Sequence, residues 1–140
     1  MVIKSFNINI EGYWRDKNKE GVPIQSGVYF VYEANYNNIK DTVTLLRLVY
    51  IGEANDVRLR IKTHTKYSEW LHNVKYGNEL CFSTGYIEEI QRKRVEAAYI
   101  FKHKPPLNIE FTNLFPFDQT TIISKGKTAL LDINFTINRS

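Results

Sequence analysis

The chain has 140 residues, a formal charge of +4 from 19 Lys and Arg against 15 Asp and Glu, and 43% apolar residues. That fits one domain burying about 70% of its unfolded surface, and it excludes a disordered chain or two full domains. The single Cys81 excludes an internal disulfide or a cysteine-based zinc site; no apolar run nears the ~20 residues of a membrane span.

In chain order, Val2 to Ile10 alternates apolar and polar residues, the pattern of a half-buried strand. Gly12 to Gly27 carries Gly12, Gly21, Pro23 and Gly27 and reads as a loop. Val28 to Tyr32 is β-branched and aromatic throughout and predicts a central strand. Asn35 to Asp41 reads as a turn or longer excursion, and Thr42 to Ile51 as a strand returning antiparallel. Asn55 or Asp56 can cap a helix carrying Val57, Leu59 and Ile61, and Tyr67 to Val74 predicts a second short helix closed by Gly77. Leu80 to Ile87 predicts a third strand. Glu88 to about His103 predicts the longest helix, stopped by Pro105-Pro106. Thr120 to Ile137 reads as a hairpin turning at Gly126, between Ile122-Ile123 and Leu130-Leu131. Met1-Val2-Ile3-Lys4 has no apolar stretch of the signal-peptide kind, so the cytoplasm is the expected compartment.

Charge is unevenly placed. Arg58, Arg60, Lys62 and Lys66 lie in one helical segment without an acid, and Arg92, Lys93, Arg94, Lys102 and Lys104 in another with Glu96 alone. Such helices present either a solvated face or cations for a phosphate backbone. Glu96 lies in the most apolar part of its helix. It must be exposed, paired with Arg92 or Lys93, or bound to a hard divalent ion. Arg60 and His64, four residues apart, share one side of a helix, as a chance pair or as a phosphate-binding fork beside a titratable ring. Tyr29 and Tyr50 each sit near a glycine, as structural rings or as hydroxyls able to position a water.

Taken together, Gly27-Val28-Tyr29, Tyr50-Ile51-Gly52, Arg60, His64, Glu96 and Asn108 after Pro105-Pro106-Leu107 resemble the GIY-YIG nuclease family. That family includes the cutting domain of a bacterial excision-repair nuclease and some homing and restriction endonucleases. The resemblance covers about residues 26–108. It implies an α/β domain built on a small three-stranded antiparallel sheet flanked by helices, with an extra N-terminal strand and a C-terminal hairpin in the extensions 1–25 and 114–140. Three departures stand out: Val28 inside the first motif, a Tyr29–Tyr50 connection longer than usual, and Glu53 where several relatives place Lys.

The resemblance also implies metal-dependent hydrolysis of phosphodiester bonds in DNA, expected to be double-stranded. Glu96 would be the ligand of Mg²⁺ or Mn²⁺. Arg60 would contact the scissile phosphate, and Tyr29 would help deprotonate the attacking water with His64 or Tyr50 as relay. Asn108 would orient local backbone or a metal-bound water. Arg58, Arg60, Lys62, Lys66, Arg92 and Lys93 would face the DNA. The rival expectation is a non-catalytic DNA-binding or protein-interaction module on the same fold. A core this large leaves no separate recognition domain in 140 residues. Specificity would then come from the Tyr32–Leu46 connection, the terminal segments, a second copy or a partner protein.

Overall fold

The computed structural model describes residues 2–140. Its elements are β1 (Lys4–Arg15), β2 (Gly27–Asn37), β3 (Thr42–Ala54), α1 (Val57–Thr63), α2 (Tyr67–His72), β4 (Glu79–Tyr86), α3 (Arg92–His103), β5 (Thr120–Gly126) and β6 (Asn134–Ile137). Two short 3₁₀ turns, Asp16–Gly21 and Glu89–Gln91, join them. All six strands form one curled half-barrel sheet in the order β3-β2-β4-β1-β5-β6.

This overturns the expected three-stranded sheet flanked by helices. The cause is β1, which is central. Ile10 to Arg15 pairs antiparallel with β4, and Lys4 to Ile10 pairs parallel with β5. The alternation in residues 2–10 marks a strand but does not reveal what its two edges meet. The loop expected from Gly12 starts later, because the strand runs on to Arg15 past an irregularity between Gly12 and Trp14. The tail does form an antiparallel pair, from Thr120↔Ile137 to Ile123↔Asn134. Its turn is not at Gly126. Leu130 and Leu131 lie in the connection, where Leu131 packs on the core.

β2 is covered on both faces, which explains its unbroken apolar run. Val28, Phe30, Tyr32 and Ala34 join Val95, Ala98 and Tyr99 of α3 in one core cluster. Tyr29 and Val31 join Val57, Ile61 and Trp70 of α1 and α2 in the other. Burying each such side chain stabilises by about 1.5–3 kcal/mol. That burial is what holds α1 and α2, since helices of seven and six residues do not persist alone. At the start of α1, the Asp56 carboxylate accepts the Leu59 N–H at 3.0 Å. α3 ends where Lys104 turns left-handed and its N–H reaches the Ile100 carbonyl, just before Pro105.

Arg94 ties α3 to the segments that lead into β1 and β5. Its buried guanidinium donates to the carbonyls of Val2, Asp118 and Gln119 and to Thr120 Oγ1. The helix that carries Glu96 is therefore fastened to the N-terminal segment and to the start of β5. Among the described residues no helix is long and apolar enough to cross a membrane.

Candidate active site

β3 is an end strand of the sheet, and beside it opens a pocket of about 620 Å³. Tyr29 from β2, Tyr50 and Glu53 from β3, Arg60 from α1, His64 just beyond it, Glu96 from α3 and Asn108 all line it. Lys66, Lys93, Ile100, Ile109 and Glu110 complete the wall. The six residues singled out for catalysis thus meet in one cavity.

Two close approaches position the tyrosines. The β2–β3 register sets Tyr29 opposite Gly52, and a Cβ on Gly52 would fall 2.2 Å from the Tyr29 hydroxyl. A Cβ on Gly27 would fall 2.2 Å from the Gly85 carbonyl oxygen. The glycines of both tripeptides are therefore dictated by contact with β2 and β4 neighbours. The ring centroids of Tyr29 and Tyr50 are 6.4 Å apart. Trp70 lies beneath them, 6.5 Å from Tyr29, 5.4 Å from Tyr50 and 4.6 Å from His64. Trp70 was not legible as part of the site. Its only signal was a large aromatic ring in a short helix.

Arg60 is exposed, on the last turn of α1. The helix ends at Thr63, so His64 is not its helical neighbour. His64 sits on extended backbone (φ −63°, ψ 132°) and still turns its ring into the pocket. Its Nδ1 accepts the Lys66 N–H at 2.9 Å, so the neutral ring carries its proton on Nε2. That Nε2 is buried and has no partner among the described residues. Burial, reinforced by Arg60 and Lys66, pushes the His64 pKa down to about 4. At neutral pH His64 is therefore a neutral ring with a buried Nε2–H, a donor and not a base.

Glu96 is 9% exposed. Arg92, one of its two expected partners, is turned away, with its Nη1 on Ser26 Oγ at 3.0 Å and its Nε 3.5 Å from Glu53. Lys93 stands 3.6 Å off, in ion-pair range but beyond a hydrogen bond. Burial pushes the Glu96 pKa up to about 7; Lys93 opposes this, while Glu53 and Glu110 add to it. Burial likewise raises both tyrosines, with Arg60 pulling the other way, so both enter as neutral hydroxyls.

Asn108 grips the edge strand. Its Oδ1 accepts the Ile51 N–H and its Nδ2 donates to the Ile51 carbonyl, both at 2.9 Å, beside a Leu107 N–H to Val49 carbonyl bond of 3.1 Å. The amide is thus committed to the backbone between Tyr50 and Gly52.

The six residues expected to face DNA divide evenly. Arg60, Lys66 and Lys93 line the pocket. Arg58 donates to the Val22 carbonyl, Lys62 reaches Glu20 at 2.6 Å, and Arg92 is engaged as described. The long Tyr32–Leu46 connection is the distal half of the β2–β3 hairpin, paired out to Asn37↔Thr42.

Among the described residues no group of three or more His, Cys, Asp or Glu side chains could form a metal cage. Glu96 fits a different arrangement. A buried carboxylate short of donors suits one hard divalent ion that keeps most of its waters. Compared with protein-family models, curated proteins and solved structures, the chain finds no match.

Proposed function

We propose that this chain is a metal-dependent endonuclease of the GIY-YIG type, hydrolysing phosphodiester bonds in DNA. The observation that carries the reading is convergence. Tyr29, Tyr50, Arg60, His64, Glu96 and Asn108 come from separate elements and line one pocket. Within it a donor-poor carboxylate shares the walls with an exposed guanidinium and an imidazole whose N–H has no partner among the described residues.

Glu96 would hold Mg²⁺ or Mn²⁺, which when bound supplies Lewis-acid stabilisation of charge on the phosphate oxygens. Arg60 donates to the scissile phosphate as charge builds on it, the task a guanidinium fork suits best. His64 adds its Nε2–H as a second donor. The Tyr29 and Tyr50 hydroxyl oxygens, as neutral phenols, accept hydrogen bonds from the attacking water and orient it, and its proton leaves to solvent water at the pocket mouth. Asn108 fixes Ile51 and so the Tyr50 backbone. The reading carries with it a cytoplasmic setting and double-stranded DNA as partner. A second copy or a partner protein is one source of target specificity.

The test is nicking of supercoiled plasmid in Mg²⁺ or Mn²⁺. Wild type is expected to nick, and Glu96→Ala and Arg60→Ala each to lose about a hundredfold or more, the scale of removing one transition-state contact. No wild-type cleavage, or cleavage indifferent to both substitutions, would overturn the assignment. DNA binding by gel shift would then favour the non-catalytic module.

A further inference from the structure

Lys93 stands one helical turn before Glu96 on α3. Its ammonium lies 3.6 Å from Glu96 Oε1 and 3.9 Å from Glu110 Oε1. The centroid of the Phe111 ring is 5.8 Å away. Both carboxylates are beyond hydrogen-bond length, so the ammonium is held between them by charge alone. The three groups differ in freedom. The Glu96 side chain is 11% exposed, while those of Lys93 and Glu110 are 56% and 72% exposed. A fixed carboxylate inside the pocket therefore faces a cation on a flexible stem at its mouth. Among the described residues, Lys93 is the one cation within ion-pair distance of Glu96.

We propose that Lys93 is a tethered counter-ion. With no divalent ion bound it occupies the approach to Glu96, and an arriving ion displaces it toward Glu110, which retains it at the pocket mouth. This rests on reading Glu96 as the ion's ligand. Ammonium and ion compete for one carboxylate, and a pair at 3.6 Å without a hydrogen bond, its cation more than half exposed, is weak. Displacement therefore changes the ion's affinity by roughly two- to fivefold. Lys93 sets the ion concentration at which the pocket fills. Glu110 is a positioning residue that acts through Lys93.

Mn²⁺ binding to the free protein, followed by water-proton relaxation, tests this without any cleavage readout. Lys93 and Glu110 are exposed, so their variants keep the core. Lys93→Met is expected to bind Mn²⁺ roughly two- to fivefold more tightly than wild type. Glu110→Gln is expected to weaken binding in wild type, because Lys93 then pairs with Glu96 alone, and to change nothing in the Lys93→Met background. Unchanged affinity in Lys93→Met overturns the counter-ion role. So does equal weakening by Glu110→Gln in both backgrounds, which would make Glu110 a ligand or a bulk charge. Failure of the underlying reading looks different: Mn²⁺ binding is then absent in wild type or indifferent to Glu96→Gln.

Discussion

Glu33 and Glu96 are both buried glutamates, and the fold treats them in opposite ways. Glu33 on β2 is 2% exposed. Its Oε1 accepts the Arg47 guanidinium at 3.0 and 3.1 Å, and its Oε2 accepts the Lys75 N–H and the Asn78 amide, each at 2.8 Å. Burial works against its ionisation, yet Asn78, Lys75 and Arg47 overcome it, and its pKa lies below the usual carboxylate value. Glu96 is 9% exposed, and its one ion-pair partner among the described residues stands off at 3.6 Å. Its pKa is pushed up to about 7, first by burial. A buried charge that serves architecture is completed by the protein. One left incomplete beside an open cavity is what the proposed role of Glu96 as an ion's ligand requires.

The same neutralising substitution at the two sites should have opposite signs. Glu33→Gln removes an acceptor of charge-assisted bonds and is expected to cost about 2–4 kcal/mol of stability. Glu96→Gln removes an unfavourable buried charge and is expected to stabilise by about 1–3 kcal/mol at pH 8, with no effect near pH 4. Urea denaturation of the two variants measures both. If both destabilise at pH 8, Glu96 is a completed structural charge after all and the contrast is broken.

A pH series extends the contrast to His64. Residue 96 has an ordinary value of 4.5 and a folded one of about 7. Between these the folded chain holds the proton and the unfolded one does not, so stability falls as pH rises through the window and is level above it. His64 has an ordinary value of 6.5 and a folded one of about 4. Here the unfolded chain holds the proton, so stability is complete above pH 6.5 and is lost as pH falls toward 4. The two slopes oppose each other between about pH 4.5 and 6.5, and each is worth up to about 3 kcal/mol. Glu96→Gln should therefore expose a stability that rises with pH across that range, and His64→Gln one that falls. Parallel profiles for both variants and wild type would show that neither group is perturbed.

What the sequence made legible is chemistry at fixed spacing. Tyr50, Arg60, His64 and Glu96 could be picked out as pocket lining because they are polar or titratable side chains at fixed spacing, and Val28 to Tyr32 as a strand because a β-branched aromatic run has few other homes. Partnerships across long separations were not legible. Nothing local says that Lys4 to Ile10 lies beside Thr120 to Gly126, so the size of the sheet was missed. Nor does anything local say that Arg58 meets the Val22 carbonyl, Lys62 meets Glu20 and Arg92 meets Ser26. Trp70 and Glu110 were overlooked because an indole floor and a rim carboxylate have no signature outside the fold.

Gly52 offers a smaller test, of geometry rather than charge. An added Cβ would meet Tyr29 Oη at 2.2 Å and Cζ at 2.3 Å, and the Tyr29 ring, 1% exposed, has no room to retreat. Gly52→Ala is expected to cost about 1–3 kcal/mol by overpacking and, in the proposed nuclease, to depress cleavage by moving the hydroxyl. Gly77→Ala is the control. Nothing lies within 4 Å of its Cβ position, and the cost of about 1 kcal/mol comes only from a left-handed φ of +89°. It should leave cleavage per folded molecule unchanged. A Gly52→Ala protein with wild-type cleavage would remove Tyr29 from the reaction.

The least effect is expected among the cations, where committed and uncommitted charges again differ. Lys62 contacts Glu20 at 2.6 Å. Lys66 lines the pocket with its ammonium 5.4 Å from the Tyr50 ring centroid, and no carboxylate pairs with it among the described residues. A phosphate reaching Lys66 gains a full contact. One reaching Lys62 must first draw it from Glu20, which is then left to repel the backbone. In the proposed nuclease, Lys66→Ala should flatten the slope of log binding constant against log salt by about 1, the loss of one phosphate contact. Lys62→Ala should change it by less than half as much. The difference stays modest because the Lys62–Glu20 pair is exposed and salt already weakens it. Fluorescence anisotropy of labelled duplex DNA in EDTA, across a salt series, resolves the two slopes. Equal slopes would mean that the ion pair opens freely and that engagement by a surface carboxylate does not remove a lysine from DNA binding.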